Sequence, residues 1–127
     1  MPAQTKNVLI VEDDFLLLEL YETMLSGEGY EVHKASDGGE GLQQIASLKP
    51  DLVLLDLAMP SVSGFQVLEQ LKKDGDATPV IIISNTDDPE AIRKCQGLGA
   101  IEYIVKAQTN LEQIKDIVAR TLKAAAS

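Results

Sequence analysis

Four groups of residues in this chain have the types and positions to do chemistry together. Glu12-Asp13-Asp14 follows the apolar run Val8-Leu9-Ile10-Val11, and Asp56 ends the run Leu52-Val53-Leu54-Leu55. Ser84 and Asn85 follow Pro79-Val80-Ile81-Ile82-Ile83, and Lys106 follows Ala100 to Val105. Buried apolar runs of this length read as strands of a parallel sheet, and open α/β sheets bind ligands beyond the carboxyl ends of their strands. Alone, Asp56 is as readily a strand-end aspartate that caps a turn. In company it gains a chemistry. Clustered carboxylates repel and desolvate one another unless a cation joins them. Mg²⁺ suits a site with few carboxylates and several waters, and Lys106 supplies a second positive point. A cation, a lysine and a hydroxyl around one carboxylate make a site for a phosphoryl group. The carboxylate can itself be the nucleophile and become an acyl phosphate.

The elements that must position these groups follow a βα rhythm. Val8–Val11 is a first strand, and a helix over Phe15 to Leu25 turns Leu17, Leu20, Tyr21, Met24 and Leu25 to one face before Gly27 and Gly29 stop it. Tyr30 to Ala35 alternates as a more exposed strand, with Asp37-Gly38-Gly39 as a turn. A weaker helix follows with Leu42, Ile45 and Ala46 inward, ended by Pro50. After the strand Leu52–Leu55, Met59 to Gly64 is a loop, and Phe65 to Lys72 a helix with Val67, Leu68 and Leu71 inward. Pro79 to Ile83 is the fourth strand. Asp88-Pro89-Glu90 starts a helix with few apolar residues (Ala91, Ile92, Cys95, Leu98), closed by Gly97 and Gly99. Ala100 to Val105 is the fifth strand, and Leu111, Ile114, Ile117, Val118 and Leu122 stripe the last helix. Residues 1–6 are expected to be flexible and 124–127 a frayed helix end. Strands alternating with helices imply a parallel sheet covered on both faces, with right-handed crossovers. Acidic groups after the first and third strands meet if those strands are neighbours.

Bulk properties narrow the partners. The 127 residues suffice for one domain, and 45% apolar content makes it globular. A net charge of −9 argues against direct nucleic-acid binding and against adsorption to anionic lipid. No apolar stretch approaches the roughly 18 residues that span a bilayer. Met1 to Asn7 has no apolar signal-peptide region, and Cys95 is the lone cysteine, so a cytoplasmic location is expected. His33 is the lone imidazole, and it reads as filler on a strand rather than as a ligand.

Val-Glu-Asp-Asp, Leu-Asp-Leu-Ala-Met-Pro, Ile-Ser-Asn and Tyr-Ile-Val-Lys, in this order and spacing, closely resemble the receiver domain of two-component response regulators. The resemblance covers nearly the whole chain and is nearest to the single-domain chemotaxis type. It implies a doubly wound, flavodoxin-like (βα)5 domain over 1–127, with a five-stranded parallel sheet in the order 2-1-3-4-5. It makes Asp56 the phosphoacceptor, fed by a sensor histidine kinase or a histidine phosphotransfer protein. Mg²⁺ is then held by Asp13, Asp56 and the Ala58 carbonyl, with Glu12 acting through water. Asp14 reads as a helix N-cap. Ser84 matches the hydroxyl that bonds the phosphoryl oxygen, and Lys106 the lysine that pairs with it. Tyr103 is either the switching aromatic or an ordinary half-buried tyrosine. The implied switch alters the surface of the fourth helix and fifth strand, in a monomer or a weak phosphorylation-dependent dimer.

Two positions depart from the family. Ala107 follows Lys106 where proline is usual. A cis bond before a non-proline residue costs roughly 2.5–4 kcal/mol, so either the bond is trans with a displaced loop or it is a strained cis bond. Asn85 stands where a small residue is common. Two rival classes are an inactive receiver used for docking and a Mg²⁺-dependent aspartyl-phosphate phosphohydrolase. Such a hydrolase usually has a second aspartate two residues after the nucleophile. Ala58 occupies that position.

Overall fold

The computed structural model describes residues 5–125. Its elements are β1 (Asn7–Val11), α1 (Phe15–Ser26), β2 (Glu31–Ala35), α2 (Gly38–Leu48), β3 (Leu52–Asp56), α3 (Gly64–Lys73), β4 (Val80–Ser84), α4 (Pro89–Gly97), β5 (Glu102–Val105) and α5 (Leu111–Ala125), with a single 3-10 turn over Lys106–Gln108. All strand pairings are parallel, and the sheet order is β2-β1-β3-β4-β5. This is the doubly wound, flavodoxin-like fold that was expected. No helix among the described residues is long and apolar enough to cross a membrane.

The aliphatic runs specify the centre because they must be dry on both faces. Every residue of β3 and β4 is buried. Alternation then sorts their side chains. Leu9, Val11, Val53, Leu55 and Ile82 pack with Ile45 of α2, the Val67–Leu71 face of α3 and Cys95 of α4. Val8, Ile10, Leu54, Ile81 and Ile83 pack with Leu18, Tyr21 and Leu25 of α1 and with Ile114, Val118 and Leu122 of α5. Polar caps set where the helices begin. Asp14, Asp37, Ser63 and Asp88 each accept backbone N–H bonds at an N-terminus, and Ser63 forms a reciprocal box with Gln66.

Two expectations about packing need correction. On α1 the inward residue is Leu18, whereas Leu20 is exposed. Leucines crowd that helix, so apolar spacing alone does not select its face. Gly38 and Gly39 are the first residues of α2 rather than a turn. The buried face of α2 runs through Gly38, Gly41 and Ile45, and Ala46 is exposed. The close approach explains the glycines: a Cβ on Gly38 would lie 2.3 Å from the Val62 carbonyl oxygen, and one on Gly41 3.0 Å from Val11. At the ends, the Lys6 carbonyl accepts from Glu31 N–H at 2.9 Å, so residue 6 is tied to β2. Helix α5 runs through Ala125, while residues 1–4 and 126–127 lie outside the described residues.

Candidate phosphoryl-transfer site

The sheet order changes direction between β1 and β3, which opens a crevice at their carboxyl ends. Glu12 leaves β1 and Asp56 ends β3 on the two sides of that crevice. Lys106 leaves β5 two strands away and reaches back across β4. Its Nζ donates to Glu12 Oε1 at 2.7 Å and stands 3.6 Å from Asp56 Oδ2. Glu12 is 1% exposed and Asp56 4%, so this is a buried ionic cluster. Backbone donors complete it: Asp14 N–H donates to Glu12 Oε2 at 3.1 Å, and Ala58 N–H to Asp56 Oδ1 at 3.3 Å. Asp13 is exposed at the mouth. One carboxylate oxygen from each of Glu12, Asp13 and Asp56 falls within a 4.8 Å cluster, close enough to share one cation.

Two carboxyls and one lysine cannot all be charged there at no cost. Burial pushes the Asp56 carboxyl up to about 7, and the neighbouring Glu12 carboxylate adds to this against the pull of Lys106. Burial also acts upward on Glu12, but hydrogen bonds from Asp56 and Lys106 outweigh it and hold Glu12 below its ordinary value. Without a further cation the pair therefore holds a proton up to about pH 7, and of the two carboxyls Asp56 is the one that carries it. The same field reaches Tyr21, whose phenol is pushed up to about 12 by burial first and then by Glu12, Asp56 and Asp14.

Ser84 closes the crevice from β4 and is 2% exposed. Its Oγ accepts from Thr86 N–H at 3.2 Å, so it is turned toward its own loop. Half-buried Tyr103 on β5 donates to the Thr86 carbonyl at 2.8 Å.

The chain matches the response regulator receiver domain family over residues 8–119. It belongs to that family. It is 33% identical over 117 residues to the Regulator of RpoS of Escherichia coli K12, covering 92% of this chain and 35% of that protein. Among solved structures, the signal receiver domain of a putative Luxo repressor protein from Vibrio parahaemolyticus superposes with a TM-score of 0.91 at 31% identity, covering 97% of this chain and 94% of that one. The chemotaxis protein CheY4 of Vibrio cholerae gives 0.85 at 26% identity, covering 93% and 99%. The chain spans 35% to 52% of the length of several curated relatives it matches.

In this receiver domain Glu12, Asp13, Asp56, Ser84 and Lys106 all converge at one sheet edge, as their strand-end positions require. The Lys106–Ala107 bond is trans, since the described residues contain no cis peptide bond. The 3-10 turn over Lys106–Gln108 absorbs the change, and Lys106 still reaches the carboxylates. Asn85 is exposed. Three contributors carry no chemical signal in the sequence. Thr86 bonds Ser84 and Tyr103 through its backbone, which residue type does not reveal. Tyr21 looks like any inward helix residue. Gly64 punctuates a loop, but its role comes from lying against the Asp56 carbonyl.

Proposed function

We propose that this receiver is a phosphoacceptor switch in which Asp56 takes a phosphoryl group from a phosphohistidine on a sensor kinase or phosphotransfer protein. One observation carries the reading: Asp56 is buried in a cluster that also contains Lys106 and two further acidic groups. The donor's P–N bond breaks as a P–O bond forms to an Asp56 carboxylate oxygen, and the imidazole leaves. Lys106 Nζ, already 3.6 Å from Oδ2, is placed to pair with the charge that accumulates on the phosphoryl oxygens. Ser84 Oγ can exchange its Thr86 contact for donation to a phosphoryl oxygen. Asp13, Asp56 and the Ala58 carbonyl would hold Mg²⁺, with Glu12 acting through water. When bound, that ion neutralises the carboxylates and the incoming phosphoryl charge. The displaced β4–α4 loop alters the α4–β5 surface, where a protein partner reads the state. Helix α4 suits this role, because Cys95 is its one fully buried residue among those described. Ala58 leaves no acid-base group two residues from Asp56, which supports a switch rather than a phosphohydrolase. Such signalling places the chain in the cytoplasm.

Incubation with acetyl phosphate and Mg²⁺, followed by intact-mass measurement under conditions that preserve acyl phosphates, tests the reading. Wild type is expected to gain one phosphoryl group, and a chain that gains none is not a phosphoacceptor. Replacing Mg²⁺ with EDTA is expected to suppress the adduct. Lys106→Met is expected to slow its appearance by about 10²–10³, the usual loss when one preorganised donor to a developing anion is removed. Mg²⁺ is also expected to raise the thermal midpoint of wild type but not of Asp13→Asn, read by calorimetry with and without EDTA.

A further inference from the structure

We propose that the Thr86 side chain is the positioning element that carries displacement of Ser84 into the N-terminus of α4. Every polar atom of Thr86 is engaged, and each with a different part of the fold. Its N–H donates to Ser84 Oγ at the end of β4 (3.2 Å). Its carbonyl accepts from the Tyr103 hydroxyl on β5 (2.8 Å). Its hydroxyl oxygen accepts from the backbone N–H of Asp88 (3.2 Å). Asp88 is the residue that caps α4. Its Oδ1 accepts from Glu90 N–H at 3.1 Å and its carbonyl from Ile92 N–H at 3.1 Å.

These bonds form one chain from Ser84 to the first turn of α4. The first link, to Ser84, and the Tyr103 link are made by the Thr86 backbone, so any residue could make them. The link to Asp88 needs a side-chain acceptor two residues before the cap, and Thr86 supplies it. The inference rests on the phosphoacceptor reading, since it is phosphorylation that draws Ser84 away from Thr86 N–H. Once that bond breaks, the loop over residues 85–88 moves with Thr86, and the hydroxyl passes the movement to Asp88. Helix α4 can follow because Cys95 is its one fully buried anchor among the described residues. Tyr103 would respond through the Thr86 carbonyl whether or not the hydroxyl is present. Coupling to Tyr103 and coupling to α4 are therefore separable.

The test compares wild type, Thr86→Val and Thr86→Ser. Thr86 is exposed, so neither substitution disturbs the core. Amide hydrogen exchange of Asp88, Glu90 and Ile92 reports on α4. Fluorotyrosine labelling, with the Tyr103 signal assigned by Tyr103→Phe, reports on β5. Without a phosphodonor, Thr86→Val is expected to exchange about fivefold faster at these amides, the factor for one hydrogen bond worth about 1 kcal/mol, and Thr86→Ser is expected to match wild type. Equal protection in all three chains overturns the link. With acetyl phosphate and Mg²⁺, all three are expected to gain the phosphoryl group and shift the Tyr103 signal. The exchange at Glu90 and Ile92 is then expected to change on phosphorylation in wild type and Thr86→Ser but not in Thr86→Val. Phosphorylated Thr86→Val whose α4 responds like wild type overturns the relay alone. Wild type that gains no phosphoryl group overturns the underlying reading, and the relay with it.

Discussion

Asp56→Asn is expected to gain no phosphoryl group from acetyl phosphate and Mg²⁺ under conditions that modify wild type. A carboxamide is not a nucleophile toward phosphorus, and the neighbouring carboxylates are differently disposed. Glu12 is already held by Lys106 at 2.7 Å and by Asp14 N–H at 3.1 Å, and Asp13, though within the same 4.8 Å carboxylate cluster, is exposed at its mouth, whereas Asp56 is buried beside Lys106. An undiminished adduct on the variant would show that the phosphoryl group goes elsewhere. The same substitution has a stability signature. The Asp56 carboxyl is raised by burial, and then by Glu12, to about 7 in the folded chain from an ordinary value of 3.8. A raised value means that the folded state binds the proton more tightly. The stabilisation is fully present below about 3.8 and is lost as pH rises through about 7. Glu12 is shifted the opposite way, so its contribution changes below its ordinary value of 4.5 and leaves the window from about pH 5 to 8 to Asp56. In EDTA, wild type is expected to lose stability between about pH 5 and pH 8, on the order of a few kcal/mol at most. The carboxamide of the Asp56→Asn variant keeps a donor toward Glu12 and has no charge to titrate, so the variant's stability is expected to stay flat. Urea denaturation at the two pH values measures both, and parallel curves for the two chains would refute the assignment of the raised carboxyl.

Gly64→Ala is expected to destabilise the chain by about 1–3 kcal/mol, the range for forcing atoms into a filled space. A Cβ on Gly64 would lie 2.5 Å from the Asp56 carbonyl oxygen and 2.7 Å from Leu57 Cα. Both obstacles are backbone, at the end of a strand buried on both faces, so neither can swing aside. Gly64 N–H also donates to the Leu57 carbonyl at 2.9 Å, which locks the start of α3 against the residue after Asp56. What relaxation occurs must move β3's carboxyl end, so the Mg²⁺-dependent rise in thermal midpoint should shrink in this variant as well. Gly97→Ala is the control. It sits at the end of α4 with nothing within 4 Å of its would-be Cβ, and alanine there is expected to be neutral or to stabilise by up to about 1 kcal/mol. Equal stability of the two alanine variants would show that the α3–β3 contact is not tight.

The trans Lys106–Ala107 bond bears on how firmly the site depends on its loop. Proline at 107 would bias that bond toward cis, but Lys106 reaches Glu12 and Asp56 without it. The lysine's place is set by β5, whose register pairs Val105 with Ser84, and by the attraction of two buried carboxyls. Electrostatics holds the head group while a short 3-10 turn carries the chain on to α5.

Much of this molecule is decided locally, and so is legible in residue order. Four or five aliphatic residues in a row must be dry on both faces, so the strands, and the acidic, hydroxyl and lysine groups at their ends, follow from pattern alone. The caps at Asp14 and Asp88 follow from the need to satisfy the first N–H groups of each helix. What depends on distance between remote segments is not legible. Leucine at four of the five positions 16–20 cannot say which one faces β1. Gly38, read with Gly39 as a turn, opens α2, because only its contact with Val62 reveals why a side chain is excluded there. Glu12 holds Lys106 more closely than Asp56 does, and the proton goes to Asp56, because burial and pairwise contacts divide charge among groups that the sequence merely supplies. Residue types determined which chemistry is available at this sheet edge. Tertiary packing decided which carboxylate carries the strain of it, since desolvation and hydrogen bonding act only once the strands are side by side.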